Sequence, residues 1–527
     1  MSQGSRSTPV WRRIGTSSVE GQSGGDAVVI VGGGPVGLTV ALDLGRRGHH
    51  VIVVNRLDYI PAGSRAICFS KRSIEIFDRL GIGEALVSKG VAWNVGKVFW
   101  GDEPEPIYQF DLLPLKDQHR PAFINIQQYH VEELLVQAVS SLKNVELRWG
   151  HRAVGVKTNS SGVTLDVLAQ ESSYSLTADY LIACDGSRSS VREFLGLDFQ
   201  GRVFEENFLI ADIRMRGERP AERWFWFDPP FNRGQSALMH KQPDDVWRLD
   251  FQLGWDIDRA AAVQPQNVEK YVRAMLGPDV QFEREWYSVY IFQCCRMSRF
   301  VHDRVIFAGD SAHLVSPFGA RGCNGGIADA DNLCWKLHAV RTGQAGPHLL
   351  ESYNSEAVVT ADENILQSSR STDFMTPKSP TSRAFRDAVL ELAAEFSFAR
   401  PFVNSGRLST AVAYPDSPLN TADVDTWSGG ISPGSPAVDA PWEDGWLLDR
   451  LGERFVLLTS DWHGTQPPNV DILDVAGVAT DSTALQERYE LTAGAGYLFR
   501  PDQYVAARWK RVSAARVAAA YQRALGH

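Results

Sequence analysis

The sequence predicts an α/β fold in which a parallel, doubly wound sheet is opened, interrupted by an antiparallel sheet, and then completed. Three observations carry this. Ala27 to Val31 and Val51 to Val54 are short, continuous, β-branched runs separated by a glycine turn and a helical segment. Such runs mark strands buried on both faces. From about Arg202 to Arg296 apolar and polar residues alternate, the pattern of a sheet with one packed face and one open face. A buried-type run then returns over residues 304–310, and a helical segment follows from Gly326 to Val340.

The chain has 527 residues, too many for one core, so two or three domains are expected. Hydrophobic residues make up 44% and charged residues 22%, which is ordinary globular composition. The net charge of −10 argues against nucleic acid as a partner, because phosphate binding wants a basic surface. It argues in the same direction against an anionic membrane surface. No apolar run reaches the roughly 18 residues needed to span a bilayer. The six cysteines (Cys68, Cys184, Cys294, Cys295, Cys323 and Cys334) are dispersed without a CxxC pair. That predicts neither a metal site nor a disulfide framework, and it fits reduced thiols in a cytoplasmic protein.

Taken in order, residues 1–25 are rich in Ser, Gly and Arg without an apolar core and are expected to be a disordered tail. From Asp26 the strand Ala27–Val31 leads into Gly32-Gly33-Gly34-Pro35-Val36-Gly37. A helix from Leu38 to Arg47 and the strand Val51–Val54 complete a βαβ unit. The glycine pattern alone is a weak signal, but a strand before it and a helix after it give it meaning. Glycines let the backbone approach a pyrophosphate, and the helix N-terminus offers N–H groups and positive potential. An acid that grips the ribose is expected about 20 residues on. Asn55 stands there, followed by Arg56, which predicts weaker dinucleotide binding by about 1–2 kcal/mol.

Two further patterns follow. The apolar run Tyr180–Ala183 ends in Cys184-Asp185-Gly186-Ser187-Arg188, which on its own reads as a hairpin turn. The run Arg304–Ala308 ends in Gly309-Asp310-Ser311-Ala312-His313. Pro317, Gly319, Arg321-Gly322-Cys323-Asn324-Gly325-Gly326 and Asp329-Ala330-Asp331 come after it. A strand delivers Asp310 at its carboxyl end, where ligands of α/β sheets sit, and the glycine-rich turn before a helix can offer backbone N–H groups to a carbonyl edge. Residues 401–441 hold six prolines and read as a linker. Beyond them Arg454–Thr459 and Val470–Leu473 read as strands and Arg508–Leu525 as an Ala/Arg helix suited to docking on the main body or on a second copy of the chain, which leaves a homodimer open.

In their order and separations the three patterns resemble the single-component FAD-dependent aromatic hydroxylases, the para-hydroxybenzoate hydroxylase and phenol hydroxylase group, from Asp26 to about Pro380. Within it the chain is most similar to the 3-(3-hydroxyphenyl)propionate hydroxylase and methylnitrocatechol monooxygenase types, through Ser316-Pro317-Phe318-Gly319-Ala320-Arg321-Gly322 and Ser371–Lys378. The end of the chain, Gly496–Asp502, is similar to the thioredoxin-like third domain of phenol hydroxylase relatives; without a cysteine beyond Cys334, it cannot perform dithiol chemistry. The departures are Asn55, Cys323 in place of Met or Ala, and Ala357 in place of an Arg.

The resemblance implies a Rossmann-like FAD-binding domain over 26–200 and 297–400, an inserted antiparallel-sheet substrate domain over 201–296, the linker, and a thioredoxin-like C-terminal domain over 442–527. It implies FAD held by Gly32, Gly34, Val36, Gly37, Asn55, Arg56, Arg65, Gln128, Asp185, Asp310, Gly322, Cys323 and Asn324. NADH or NADPH is implied as co-substrate, with no metal. The implied reaction is hydroxylation of a small phenol by O₂ through a flavin C4a-hydroperoxide, with Pro317 bordering flavin and substrate. His240 and Tyr290, on the alternating strands, are candidates for the base, although a strand His is more often structural. Trp224, Trp226 and Trp247 offer an apolar wall for a ring, or plain core packing. A flavin dehydrogenase or oxidase, or a non-catalytic FAD-binding protein, stays open as the alternative.

Overall fold

In the computed structural model, residues 10–17, 25–63, 65–112, 115–170, 172–217, 219–404, 408–476 and 483–527 are described. The first layer is a six-stranded sheet in the order Val145–Trp149, Val51–Asn55, Val28–Val31, Tyr180–Ala183, Val305–Phe307, Val301–His302. Its first five strands run parallel and only the last is antiparallel. The valines and isoleucines of Val28–Val31 and Val51–Val54 are almost wholly buried, as strands covered on both faces require. The helix Pro35–Arg46 packs against helices Gln128–Ser140 and Gly322–Arg341.

The second layer is an eight-stranded sheet. Its order is His313–Leu314, Glu283–Arg296, Gln200–Arg214, Val246–Gly254, Ser236–Lys241, Arg223–Phe227, Val95–Trp100, Tyr108–Asp111. The inserted sheet is therefore not built from 201–296 alone: two strands come from before residue 200, and one short strand follows residue 296. Val95–Trp100 runs parallel to Arg223–Phe227, a pairing between segments more than a hundred residues apart that no local pattern announces.

Cross-strand register places Asp212, Arg248, His240 and Arg223 in one row. Directly opposed residues share a face of the sheet, and neighbours along a strand point to opposite faces. Trp247 and Trp224 therefore lie on the other face. There Trp247 packs with Val268 and Val272 of helix Pro265–Leu276, and Trp224 and Trp226 border the same cluster. Trp247 is core and Trp224 and Trp226 are half-buried against it, so of the two readings packing describes them, on the face opposite His240.

Two expectations about the ends of the chain change. Val10–Arg13, in the region expected to be disordered, is a strand paired with Tyr59–Pro61; the rest of that expectation, residues 1–9 and 18–24, lies outside the described residues. The helix expected from Arg508 begins instead at Ala514, capped by Ser513, because Val505–Trp509 is a strand paired with Gly496–Phe499. That C-terminal sheet has the order Val470–Asp474, Phe455–Thr459, Gly496–Phe499, Val505–Trp509, with the first pair parallel and the rest antiparallel.

Buried charges tie this C-terminal sheet to the first layer. Arg500 donates to both oxygens of Glu356 at 2.7 and 3.1 Å and to Asp502 at 2.9 and 2.6 Å. Lys336 meets Glu356 at 2.7 Å, and Arg72 meets Asp331 at 2.9 Å while donating to Gln503 at 2.8 Å.

Candidate active site

The carboxyl ends of four adjacent parallel strands converge on one edge of the first sheet. Val28–Val31 delivers the glycine turn, Val51–Asn55 delivers Asn55 and Arg56, Tyr180–Ala183 delivers Asp185, and Val305–Phe307 delivers Gly309 and Asp310. Ligands of doubly wound sheets sit there.

The glycine turn is tight for a visible reason. Gly32 has φ +112°, and a Cβ on it would lie 2.3 Å from the Cys184 carbonyl oxygen; one on Gly37 would lie 2.0 Å from the Gly32 carbonyl oxygen. Around Gly34 that space is open. The helix it begins has no side-chain cap, so its first N–H groups point into the cleft as an anion site. Val36 faces inward: Cβ atoms on Gly309 or Gly326 would lie 2.9 and 2.5 Å from its Cγ2. It packs the glycine turn against the Asp310 turn and the long helix.

Asn55 is turned toward the protein. Its Oδ1 accepts from the Gly33 N–H at 3.2 Å and its Nδ2 donates to the Leu57 carbonyl at 3.3 Å. Arg56 and Arg65 are exposed on the rim. Gln128 accepts from the Ala66 N–H at 3.1 Å and donates to Glu132 at 2.8 Å, which ties the helix to the segment that carries Arg65. Glu132 is buried, and desolvation pushes its carboxyl up to about 7 against the pull of Gln128 and Arg65.

Asp185 accepts from the Val191 N–H and the Ser190 hydroxyl through Oδ2, both at 3.1 Å, while its buried Oδ1 has no partner among the described residues. Asp310 sits on the single turn Gly309–Ser311 with its side chain open to the cleft. The surrounding walls desolvate it and raise its carboxyl above the ordinary value, a shift that His313 and Arg65 partly oppose. What fixes this turn was missed in the sequence. Asp329 accepts from the Gly309 N–H at 2.9 Å and from His313 Nε2 at 2.6 Å, and both side chains are buried. Burial works against the His313 cation, but Asp329 more than offsets it. His313 thus acts on Asp329 rather than on the cleft. The Asp-x-Asp spacing was visible; its pairing with a histidine sixteen residues earlier was not.

Gly319 and Ala320 both have positive φ, +101° and +55°, and this bend aims the N-terminus of Gly322–Arg341 at the same cleft. Ala320 carries roughly 1–2 kcal/mol of strain there. The helix has no side-chain cap, which leaves the N–H groups of Gly322 and Cys323 available. Asn324 is different. Its Oδ1 accepts from the Ser70 N–H at 3.0 Å and the Ser73 hydroxyl at 2.7 Å, and its Nδ2 donates to the Cys68 carbonyl at 3.0 Å. Its side chain is a buried cross-link. Arg321 is also an anchor, donating to Asn364 at 3.0 Å and to the Leu408 carbonyl at 2.8 Å.

The facing side of the second sheet presents Arg248, Asp250 and Tyr290. Burial opposes the Arg248 cation, but Asp212 at 2.8 and 2.9 Å more than offsets it. His240 lies behind them, 2% exposed, with Nε2 3.3 Å from Asp250 Oδ2. Burial and Arg223 bring it down to about 4, so it is neutral at pH 7 and screened from a ligand. Tyr290 is half-buried; desolvation pushes its phenol up, with Arg248 and Arg65 pulling the other way. Pro317 is exposed beside buried Phe318, which packs on Phe208 at 4.6 Å. Among the described residues no group of three His, Cys, Asp or Glu could hold a metal ion, and no helix is long and apolar enough to cross a membrane.

The cleft fits FAD on this chain's own geometry: two uncapped helix N-termini, an open Cβ space at Gly34, an unpartnered buried oxygen on Asp185 and a free carboxylate on Asp310. A family model described as FAD binding domain matches residues 26–368. The 12-dehydrotetracycline 5-monooxygenase/anhydrotetracycline 6-monooxygenase of Streptomyces rimosus subsp. rimosus is 31% identical over 375 residues, 69% of this chain and 73% of that protein. The 3-(3-hydroxy-phenyl)propionate/3-hydroxycinnamic acid hydroxylase 2 of Burkholderia vietnamiensis is 27% identical over 542 residues, 94% of this chain and 96% of that one. The crystal structure of the flavin-dependent monooxygenase PieE, solved with FAD and substrate, superposes with a TM-score of 0.78 over 96% of this chain and 99% of that one, at 23% identity, a likeness of fold.

Proposed function

This chain belongs to the FAD-binding-domain family that it matches over residues 26–368, and from that premise we propose that it is an NAD(P)H-dependent monooxygenase that places one atom of O₂ on a small phenolic ring. The observation that carries the reading is the convergence of the glycine turn, Asp185, Asp310 and the Gly322 helix start on one cleft, opposite a sheet face bearing Arg248, Asp250 and Tyr290. Relatives named for the hydroxylation of hydroxyphenylpropionate and hydroxycinnamate support the phenolic substrate.

In this reading the turn Gly32–Gly37 takes the pyrophosphate. Arg56 and the backbone around Asn55 face the ribose. Asp310 accepts from the ribityl hydroxyls, and the N–H groups of Gly322 and Cys323 meet the flavin's carbonyl edge. FAD, reduced by NAD(P)H, supplies the oxygen-activating chemistry. The rest falls to the sheet face. Tyr290, protonated at neutral pH, orients the substrate oxygen by donating to it. Arg65 and Arg248 lie within electrostatic reach of Tyr290, so a phenol held there is biased toward its ionised form, which makes the ring nucleophilic. His240 holds Asp250 in place and is a positioning residue rather than the base. Pro317 and Phe318 close the cleft and exclude water.

The domain limits follow the sequence expectation: residues 26–200 and 297–400 for FAD and 201–296 as the substrate sheet extended by its three outside strands. A linker spans 401–441, and the C-terminal unit of 442–527 is thioredoxin-like on the strength of its strand order. The test is isotopic. With ¹⁸O₂ and a phenol panel, one labelled oxygen enters the ring for each NAD(P)H consumed, and the second leaves as water. Product oxygen drawn from H₂¹⁸O, or NAD(P)H oxidation that yields only H₂O₂ across the panel, refutes hydroxylation and leaves a dehydrogenase or oxidase.

A further inference from the structure

Residues 10–17, ahead of the family-matched region, pack beside the site. Val10–Arg13 pairs antiparallel with Tyr59–Pro61. The N–H groups of Ile14 and Gly15 both donate to the Asp58 carbonyl at 2.9 Å. Ser17 then sews the segment to the sheet edge: its N–H donates to the Trp149 carbonyl at 2.9 Å, its hydroxyl to the Leu147 carbonyl at 3.1 Å, and its carbonyl accepts from His151 Nε2 at 2.9 Å. Thr16 fills the space over Gly150, where a Cβ would lie 2.6 Å from its hydroxyl, and the Gly150 N–H donates to the Leu57 carbonyl at 3.0 Å. On the other flank the Trp11 ring stacks on Tyr129 at 4.2 Å, next to Gln128, while Arg12 meets Glu133 and Arg13 meets Asp58, both at 3.1 Å.

These contacts enclose one stretch, Leu57 to Pro61, that directly continues the strand ending in Asn55. We propose that residues 10–17 are a cofactor-positioning strap, which fixes the Asn55–Pro61 segment and so strengthens FAD binding at the ribose end of the cleft. The proposal rests on the reading that FAD occupies the glycine turn.

The physical argument concerns order rather than new contacts. Where an acid would grip two ribose hydroxyls, this chain has Asn55, whose amide is already committed to Gly33 and Leu57. The ribose must then be met by Arg56 and backbone groups on the following segment. A segment that must be immobilised on binding weakens affinity, and one that is already held does not. Segment 57–61 has its own pairing supplied by the strap, whose strand is exposed along its whole length and contributes no core to the fold. The two ion pairs are solvent-exposed and add little. The backbone ladder, Ser17 and the Trp11 ring hold the strap down.

The test uses the full chain, a variant lacking residues 1–17, and the variants Trp11→Ala and Ser17→Ala in the full chain. FAD affinity is read by flavin fluorescence titration of apoprotein, and apoprotein melting is read in parallel. The expected result is a Kd raised about tenfold by the truncation and by a smaller factor in each point variant, carried mostly by faster FAD release, with the apoprotein melting point unchanged. Equal Kd in all four proteins overturns the proposal. So does a truncated apoprotein whose melting point falls as far as the holoprotein's, because the strap is then general scaffolding. A full chain that binds no FAD overturns the cofactor reading itself, an outcome distinct from both.

Discussion

Replacing Asp329 by Asn tests the idea that a buried pair, rather than Asp310 alone, makes the cofactor site. Asp329 Oδ2 serves two donors at once, the Gly309 N–H at 2.9 Å and His313 Nε2 at 2.6 Å. An amide of the same shape can set its one oxygen in the Oδ2 place and still accept from both, but it removes the charge and puts an NH2 group where the buried Oδ1 has no partner among the described residues. Turning two charge-assisted hydrogen bonds into neutral ones costs about 1 kcal/mol each. His313, 1% exposed, also loses the carboxylate that favoured its cation, so burial returns it to the neutral form. Gly309 has φ +65°, and its turn carries Asp310; weakening the bond to its N–H loosens the hold on that carboxylate. If about 2 kcal/mol of this reaches the cofactor, the FAD Kd rises about 30-fold, a loss similar to that expected from Asp310→Ala, about 2 kcal/mol. The assay is fluorescence titration of apoprotein with FAD, on Asp329→Asn, His313→Gln and the double variant. The pair should be strongly non-additive, the double variant losing little more than the worse single one. An Asp329→Asn protein whose FAD Kd and melting point both stay within twofold and about 1 °C of the parent refutes the reasoning.

Two further outcomes follow from buried charges. The carboxyl of Glu132, raised to about 7 by burial, takes up its proton more readily folded than unfolded. Its contribution is therefore fully present below the ordinary carboxylate range and is lost as pH rises toward 7. Glu132→Gln should remove up to about 3 kcal/mol of that slope, which melting curves of the two apoproteins between pH 5 and 8 would show; parallel curves refute it. Arg500→Met leaves Lys336 as the one cation paired with Glu356 among the described residues and strips Asp502 of its bidentate partner. The expected loss is about 3–5 kcal/mol, seen in urea denaturation as early release of the C-terminal sheet, and an unchanged single transition would argue against a clamp there.

The sequence by itself determined the parallel sheet and the edge to which its strands deliver the glycine turn and two carboxylates. Continuous β-branched runs read as strands covered on both faces, and a glycine turn between strand and helix reads as a phosphate-binding turn. Gly32, Gly37, Asp185 and Asp310 were therefore legible one by one, because each follows its strand directly in the chain. The tertiary structure decided what depends on partners far apart in sequence. The row Asp212, Arg248, His240, Arg223 exists only once four strands are in register, and that register turned Trp224 and Trp247 away from the cleft. Alternation fixes two faces without saying which one meets a ligand. His240 stayed one of two candidates for the base because a strand histidine carries no sign of its burial, and the position of Asn324 in its motif says nothing of the Ser70 and Ser73 that hold its side chain across the fold. Arg13 and Ser17 read as tail because an exposed strand buries too little apolar surface to leave a hydrophobic pattern. It is held by backbone bonds to Asp58 and Trp149, which only folding brings within reach.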